Sequence, residues 1–349
     1  VIETAAISDP LLCAILFGVA AMISFLLTPV VRMISVRSGI LDAPNSAIKT
    51  HAAPTPVFGG VAIWAGFIGA MLLLRLTTNF PSGTLYNLRS LVIGGALIFG
   101  LGLADDLRRP QGLDYKTKFV VQFAATAVLA AYGLHIHFIH PPWVGVGVTL
   151  VWVVGITNAL NIIDIMDGLA ATQAAVAAIA FLFVSVPSEE HYVKFAAAAI
   201  AGAALGFLPR NLSKRNKIFM GDCGALTLGF LLAGLSVGAH YSEVNDVGVF
   251  APLLILGVPI FDTLFVSVMR LNQGKSPFLG SKDHFALRLE RMGLSRREVV
   301  AVAAVAAALL GVCAFLATQL PHGQALALYA VVLAAVVAAG WRLSWVSMR

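Results

Sequence analysis

Residues 11–31 read LLCAILFGVAAMISFLLTPVV, twenty-one positions without one charged side chain. At 1.5 Å per residue a helix of that length runs about 31 Å, the thickness of a bilayer's hydrocarbon core. The run is too long for a signal-peptide core, no basic residue precedes it and no small-residue cleavage site follows, so it reads as a retained span. The rest of the chain agrees. Of 349 residues 59% are hydrophobic and 11% charged, with a mean hydropathy of +0.90. Soluble domains carry charge at about a quarter of their positions. The chain is therefore read as an all-α, polytopic integral membrane bundle. A basic soluble domain for nucleic acid is absent.

Ten further apolar runs repeat the pattern, at 57–76, 91–104, 119–134, 144–160, 169–186, 195–208, 223–239, 249–269, 299–317 and 325–343, giving about eleven spans. Twenty of the twenty-three Lys and Arg residues fall in alternate loops or after the last run; only Arg75, Arg89 and Lys194 fall on the other side. By the positive-inside rule the N-terminus is outside, the C-terminus cytosolic, and the net charge of +6 is a topology signal. No repeat, low-complexity tract or linker divides the chain, so 1–349 reads as one integral domain with cytosolic loops at 32–56, 104–118, 160–168, 209–222 and 270–298. Cys13, Cys223 and Cys313 are odd in number and lie in apolar context, which suits small core residues rather than disulfides.

Six aspartates stand at the cytosolic ends of these runs: Asp105, Asp106, Asp164, Asp167, Asp222 and Asp262. A carboxylate in hydrocarbon costs about 2.5 to 3.5 kcal/mol on insertion scales, so such positions are candidate functional sites. Adjacent residues such as Asp105 and Asp106 point about 100° apart on a helix, and converge only at a helix end or around a cation. Magnesium, held by one or two carboxylates with diphosphate oxygens and water, suits that need; a structural pair neutralised by Arg108 and Arg109 is the alternative. Asn158, Asn161, Asp164 and Asp167 recur every third residue, as near neighbours on one helical ribbon. Gly168 then allows a turn or a close ligand approach. Asp222 lies between Gly221 and Gly224 with Phe219 one turn earlier, where an aromatic ring can stack on a base; a plain N-cap is the alternative.

Along most of its length the chain resembles the polyprenyl-phosphate N-acetylhexosamine-1-phosphate transferases, of the glycosyltransferase family 4 type. The resemblance rests on Leu41-Asp42-Ala43-Pro44, Lys49, His51, Pro54 to Gly60, Asp105-Asp106, Lys118-Phe119 with Gln122, Asn158 to Leu169, Asn211, Phe219 to Gly224 and Pro259 to Thr263, in family order. It implies magnesium, with manganese as a substitute, a UDP-N-acetylhexosamine donor, a polyprenyl (undecaprenyl) phosphate acceptor, UMP release, and a cytosol-facing site in a bacterial inner membrane. The product would be a polyprenyl-diphospho-sugar, opening a surface glycan pathway; a homodimer is left open. By matching position, Asp105, Asp106, Asp164, Asp167, Lys118, His284 and Arg288 look catalytic. Lys49, His51, Asn158, Asn161, Asn211, Phe219 and Asp262 look substrate-binding, and Asp222 with Asp105 and Asp106 looks metal-binding.

The chain departs from the family pattern in four places. Ile165 stands within Asp164-Ile-Met-Asp167-Gly168 where the family has Gly, Ile48 precedes Lys49 in place of Arg, and Ala225 replaces a common Ser. In Lys282-Asp283-His284-Phe285-Ala286-Leu287-Arg288, Ala286 and Leu287 replace two histidines of a His-x-His-His cluster, which leaves His284 and Arg288, four apart, for lipid phosphate. Without the triple-His loop, the resemblance favours the simple UDP-N-acetylhexosamine branch over muramyl-pentapeptide translocase. Two other readings were weighed: an ion- or proton-coupled transporter, and a non-catalytic nucleotide-binding paralogue.

Overall fold

In the computed structural model, residues 9–44, 53–78, 83–187, 191–237, 241–242, 244–276 and 281–348 are described. The first helices are α1 (Asp9–Arg37), α2 (Gly59–Thr77), α3 (Thr84–Leu107), α4 (Tyr115–Ala131), α5 (Pro142–Ile162), α6 (Leu169–Val184) and α7 (His191–Asn211). Then follow α8 (Asp222–Val237), α9 (Ala251–Ile255), α10 (Gly257–Asn272), α11 (Phe285–Arg291), α12 (Arg296–Gln319) and α13 (His322–Ser344). The one departure from an all-helical chain is a two-residue strand pair among the described residues, β1 (Leu41–Asp42) antiparallel to β2 (Thr55–Pro56), with Asp42 opposite Thr55.

Each of the eleven apolar runs contains helix among the described residues, but the count of eleven spans does not follow from length and hydropathy. Among the described residues seven helices suffice to cross a membrane: α1, α2, α3, α5, α7, α12 and α13. An eighth is counted if Asp246–Ile255 and Gly257–Asn272, bent by 69°, make one span. The other three, α4, α6 and α8, have 17, 16 and 16 residues. At 1.5 Å per residue they reach about 24 to 26 Å, short of a core of about 30 Å. Nearly all of α8 is buried, with α2, α3, α5, α6 and α7 against it, so it meets protein rather than lipid.

Small residues set the closest approaches. Gly202 and Gly206 of α7 are four apart, and a Cβ at either would strike the backbone of Phe17 or Ala21 on α1. Gly66 of α2 meets Ala20 on α1 in the same way. Packing by small residues at that interval substitutes for the hydrophobic drive that lipid cannot supply between helices. At the carboxylate end, Gly60 of α2 lies against Gly224 of α8, and Gly102 of α3 against Asp222 and Cys223. Three helix ends are thereby drawn together where the acids lie.

Candidate active site

The last turn of α3 sends its two aspartates to different partners. Asp106 is fully buried and turns toward the start of α8, where its Oδ1 accepts from the Asp222 N–H at 3.0 Å and its Oδ2 from the Cys223 N–H at 3.0 Å. A carboxylate there satisfies two unpaired donors and complements the positive end of the helix. Gly221 makes this possible: its φ is 76°, and a Cβ would collide with the Asp106 carboxylate. Arg109 Nη2 donates to Asp106 Oδ1 at 2.9 Å, and Nη1 to Asp42 Oδ1 at 2.7 Å. Burial opposes the Arg109 charge, yet Asp106, Asp222 and Asp42 together hold its pKa above the ordinary arginine value.

Asp105 meets a different cation. Its Oδ2 lies 2.8 Å from Lys118 Nζ, and the same ammonium is 2.9 Å from Asp222 Oδ2. The first turn of α4 carries Lys118, and Asp114 caps that helix by accepting from the Thr117 N–H. Residues from α3, α4 and α8 thus converge on one positive charge. Asp105 and Asp222, two of the three acids expected at a metal, form the converging pair, while Asp106 turns to the start of α8. Among the described residues no group of three or more His, Cys, Asp or Glu side chains is arranged to hold a metal ion; Asp106 directs its oxygens to backbone and to Arg109.

Beside this trio opens a cleft of about 250 Å³, lined among others by Asn161, Asp164, Asp167, Lys217, Phe219 and Arg296. The expected single ribbon breaks after Asn161: α5 ends at Ile162, and Asp164 and Asp167 occupy the turn closed by Gly168 at φ 81°. Burial, then the charges of Asp222 and Asp167, push the Asp164 carboxyl up to about 7. Lys217 Nζ pairs with Asp167 Oδ2 at 2.6 Å and lies 4.7 Å from the centre of the Phe219 ring. Phe219 itself is held by backbone pairing: its N–H donates to Pro56 O at 2.8 Å, and its carbonyl accepts from the Gly59 N–H at 2.9 Å. The Pro-Thr-Pro-Val-Phe-Gly-Gly stretch is therefore the seat of the aromatic residue.

The model of the family described as "Glycosyl transferase family 4" matches residues 88–240, a segment that contains Asp105, Lys118, Asp164 and Asp222. Decaprenyl-phosphate N-acetylglucosaminephosphotransferase of Mycobacterium tuberculosis (strain ATCC 25618 / H37Rv) is 34% identical over 92% of this chain and 85% of that protein. The chain belongs to glycosyl transferase family 4. A second relative, undecaprenyl-phosphate alpha-N-acetylglucosaminyl 1-phosphate transferase of Yersinia pestis, is 27% identical over 86% of this chain and 84% of its own length.

Several residues that the family 4 pattern nominates make hydrogen bonds within the fold. Asn158 exchanges amide hydrogen bonds with Gln122 at 2.7 and 3.3 Å, tying α5 to α4. Asn211 lines the cleft's edge, accepts from the Gly168 N–H at 2.6 Å and donates to Ile218 O at 2.9 Å, fastening two loops. Asp262 is fully buried, its Oδ2 2.7 Å from His284 Nδ1 and its Oδ1 accepting from the Phe285 N–H at 3.0 Å. Both of its oxygens are thus engaged at the start of α11.

Arg288, expected to compensate for the missing histidines, is 2% exposed and is not among the residues lining the cleft. Its Nη1 donates to the carbonyls of Leu343 at 3.1 Å and Val346 at 2.6 Å, and its Nη2 to Asp283 Oδ1 at 3.1 Å. Of the two positions that lost histidine, Ala286 is fully buried, whereas Leu287 lines the cleft. Lys49 and His51 lie outside the described residues. Sequence reasoning missed Lys217, Asp42 and Arg296, all at the cleft. Lys217 stands two residues before Phe219, which was a usable signal.

Proposed function

We propose that this protein transfers N-acetylglucosamine 1-phosphate from UDP-N-acetylglucosamine to polyprenyl phosphate, leaving a polyprenyl-diphospho-sugar and releasing UMP. The observation that carries the reading is the Lys118 ammonium clasped by Asp105 and Asp222 beside a cleft lined by Asp222, Phe219 and Lys217, in a chain of this family. Two carboxylates from distant segments already converge on one cation, and magnesium bound by one or two carboxylates with substrate phosphates and water fits such a pair. When bound, magnesium (or manganese) supplies charge neutralisation and Lewis acidity to the donor diphosphate.

The chain's own groups account for the rest. Lys118 and Lys217 each hold a carboxylate and present positive charge to an incoming diphosphate, while the Phe219 ring offers a flat face to uracil once Lys217 leaves it. Asn161 and Asp164 border the same cleft with groups suited to the edge of a base or ribose. A lipid-phosphate oxygen then bonds to the sugar-bearing phosphorus as the bond from that phosphorus to the UMP oxygen breaks, its electron pair leaving with UMP. A phosphate monoester has a second pKa near 6, so the acceptor is largely ionised at neutral pH and no general base is needed.

The distribution of Lys and Arg supports a cytosolic site, an external N-terminus and a cytosolic C-terminus, with the whole domain in the bacterial inner membrane. A transporter would carry its acids near mid-bundle on broken helices; here Asp105, Asp106 and Asp222 gather at helix ends.

Purified protein in nanodiscs, given a panel of UDP-sugars, undecaprenyl phosphate and magnesium, should release UMP from UDP-N-acetylglucosamine only when lipid phosphate and metal are both present. Unchanged turnover in EDTA would remove the metal from the scheme. UMP release from no UDP-N-acetylhexosamine would remove the transferase reading.

A further inference from the structure

At the ends of α2 and α3 remote from the carboxylates lies a second cavity, of about 270 Å³. Its wall is almost wholly apolar: Ile68, Met71, Leu72 and Leu88 among others, with Arg75 and Arg89 as its basic members. Met71 and Leu88 form a buried floor, while Leu72 and Ile93 are 57% and 42% exposed, so the groove opens sideways toward lipid. Along α2 the lining runs from Ile68 to Arg75, and along α3 from Leu85 to Ile93, about 10 to 12 Å of helix.

The two arginines are the telling feature. Positive charge is scarce on this side: Arg75, Arg89 and Lys194 are the three Lys and Arg assigned to it by the sequence. Lys194 is already paired with Asp9 at 2.7 Å. Arg75 and Arg89 are exposed, make no hydrogen bond or ion pair among the described residues, and meet at one apolar groove. A guanidinium binds phosphate oxygens in pairs, and its aliphatic stem lies comfortably along apolar surface. We propose that this groove binds an anionic phospholipid, its phosphate between Arg75 and Arg89 and one acyl chain along Ile68, Leu72 and Ile93. The site stands apart from the phosphosugar chemistry and lies in the opposite leaflet.

Delipidated protein in detergent, titrated with phosphatidylglycerol or with phosphatidylcholine of the same chains and read by native mass spectrometry, tests this. One phosphatidylglycerol should bind per chain in clear preference to phosphatidylcholine. Replacing both arginines (Arg75→Gln with Arg89→Gln) should weaken phosphatidylglycerol about 30-fold, from the roughly tenfold-or-less effect of each cation beside an anionic lipid. Val92→Trp, which fills the groove and leaves both arginines, should abolish the same binding. If the double variant does not melt cooperatively, Arg89→Gln alone should lower affinity about fivefold by the same reckoning. Equal binding of the two lipids, wild-type binding by the charge variant or the filled groove, or complete displacement by inorganic phosphate would each overturn the proposal.

Discussion

Asp105 and Asp106 are chain neighbours with separate duties, and substitution should separate them. Asp105→Asn and Asp222→Asn keep shape but remove the charge that holds Lys118, so each should lower turnover by at least about 100-fold, the scale of losing one main electrostatic stabiliser. Their melting temperatures should stay near that of the wild type. Asp106→Asn turns an amide donor toward the N–H groups at the start of α8, and an unmatched buried polar group costs about 1 to 3 kcal/mol. That variant should melt earlier, and a wild-type melting curve would remove Asp106 from its structural post.

Asp164 carries a pH signature. Its folded pKa is raised to about 7 from 3.8, so its contribution to stability is fully present below pH 4 and is lost as the pH rises through 7. In chelator, Asp164→Asn should therefore melt like the wild type at about pH 3.5 and be more stable by about 1 to 2 kcal/mol at pH 8, a part of the full shift because the side chain is partly exposed. A gap that is the same at both pH values would contradict the raised pKa. The acids were legible in the sequence because charge is rare there. Their partners were legible only when local: Arg109, three residues from Asp106, was anticipated, whereas the Cys223 N–H, 117 residues away, was not.

Among the elements, α11 is held from two sides. Asp262 on α10 reads the start of α11 through His284 and the Phe285 N–H, and Arg288 ties the far side of α11 to the end of α13. Arg288→Ala should therefore act on stability, with a loss near the 3 to 5 kcal/mol seen when one partner of a buried charge pair is removed or smaller if water enters. Combining it with deletion of residues 343–349 should cost little more than either change alone, because both remove the same contacts. Additive losses in a double-mutant cycle would show that the arginine and the tail act separately. Helix positions were readable from apolar runs, since hydropathy reports burial or lipid contact equally. For the same reason the runs could not separate α8, enclosed by protein, from a lipid-facing span.

On the scale of the whole molecule, the shared face of the acids rests on topology. In a cysteine-free background, Lys282→Cys and His140→Cys place thiols at exposed positions in loops assigned to opposite sides. An impermeant thiol reagent should label position 140 on intact cells and position 282 only after the cytosolic side is opened. Labelling of both from one side would overturn the orientation drawn from Lys and Arg.

The Arg288 contact has a practical corollary for handling the protein. Its acceptors are main-chain carbonyls at Leu343 and Val346, so any side chain there would serve, but the course of the backbone would not be free to change. An affinity handle inserted close behind Val346 would sit beside those carbonyls. Resin capture, protease trimming or a bulky fluorescent fusion there then loads the backbone that Arg288 holds. A flexible spacer becomes part of the enzymology rather than a convenience of purification.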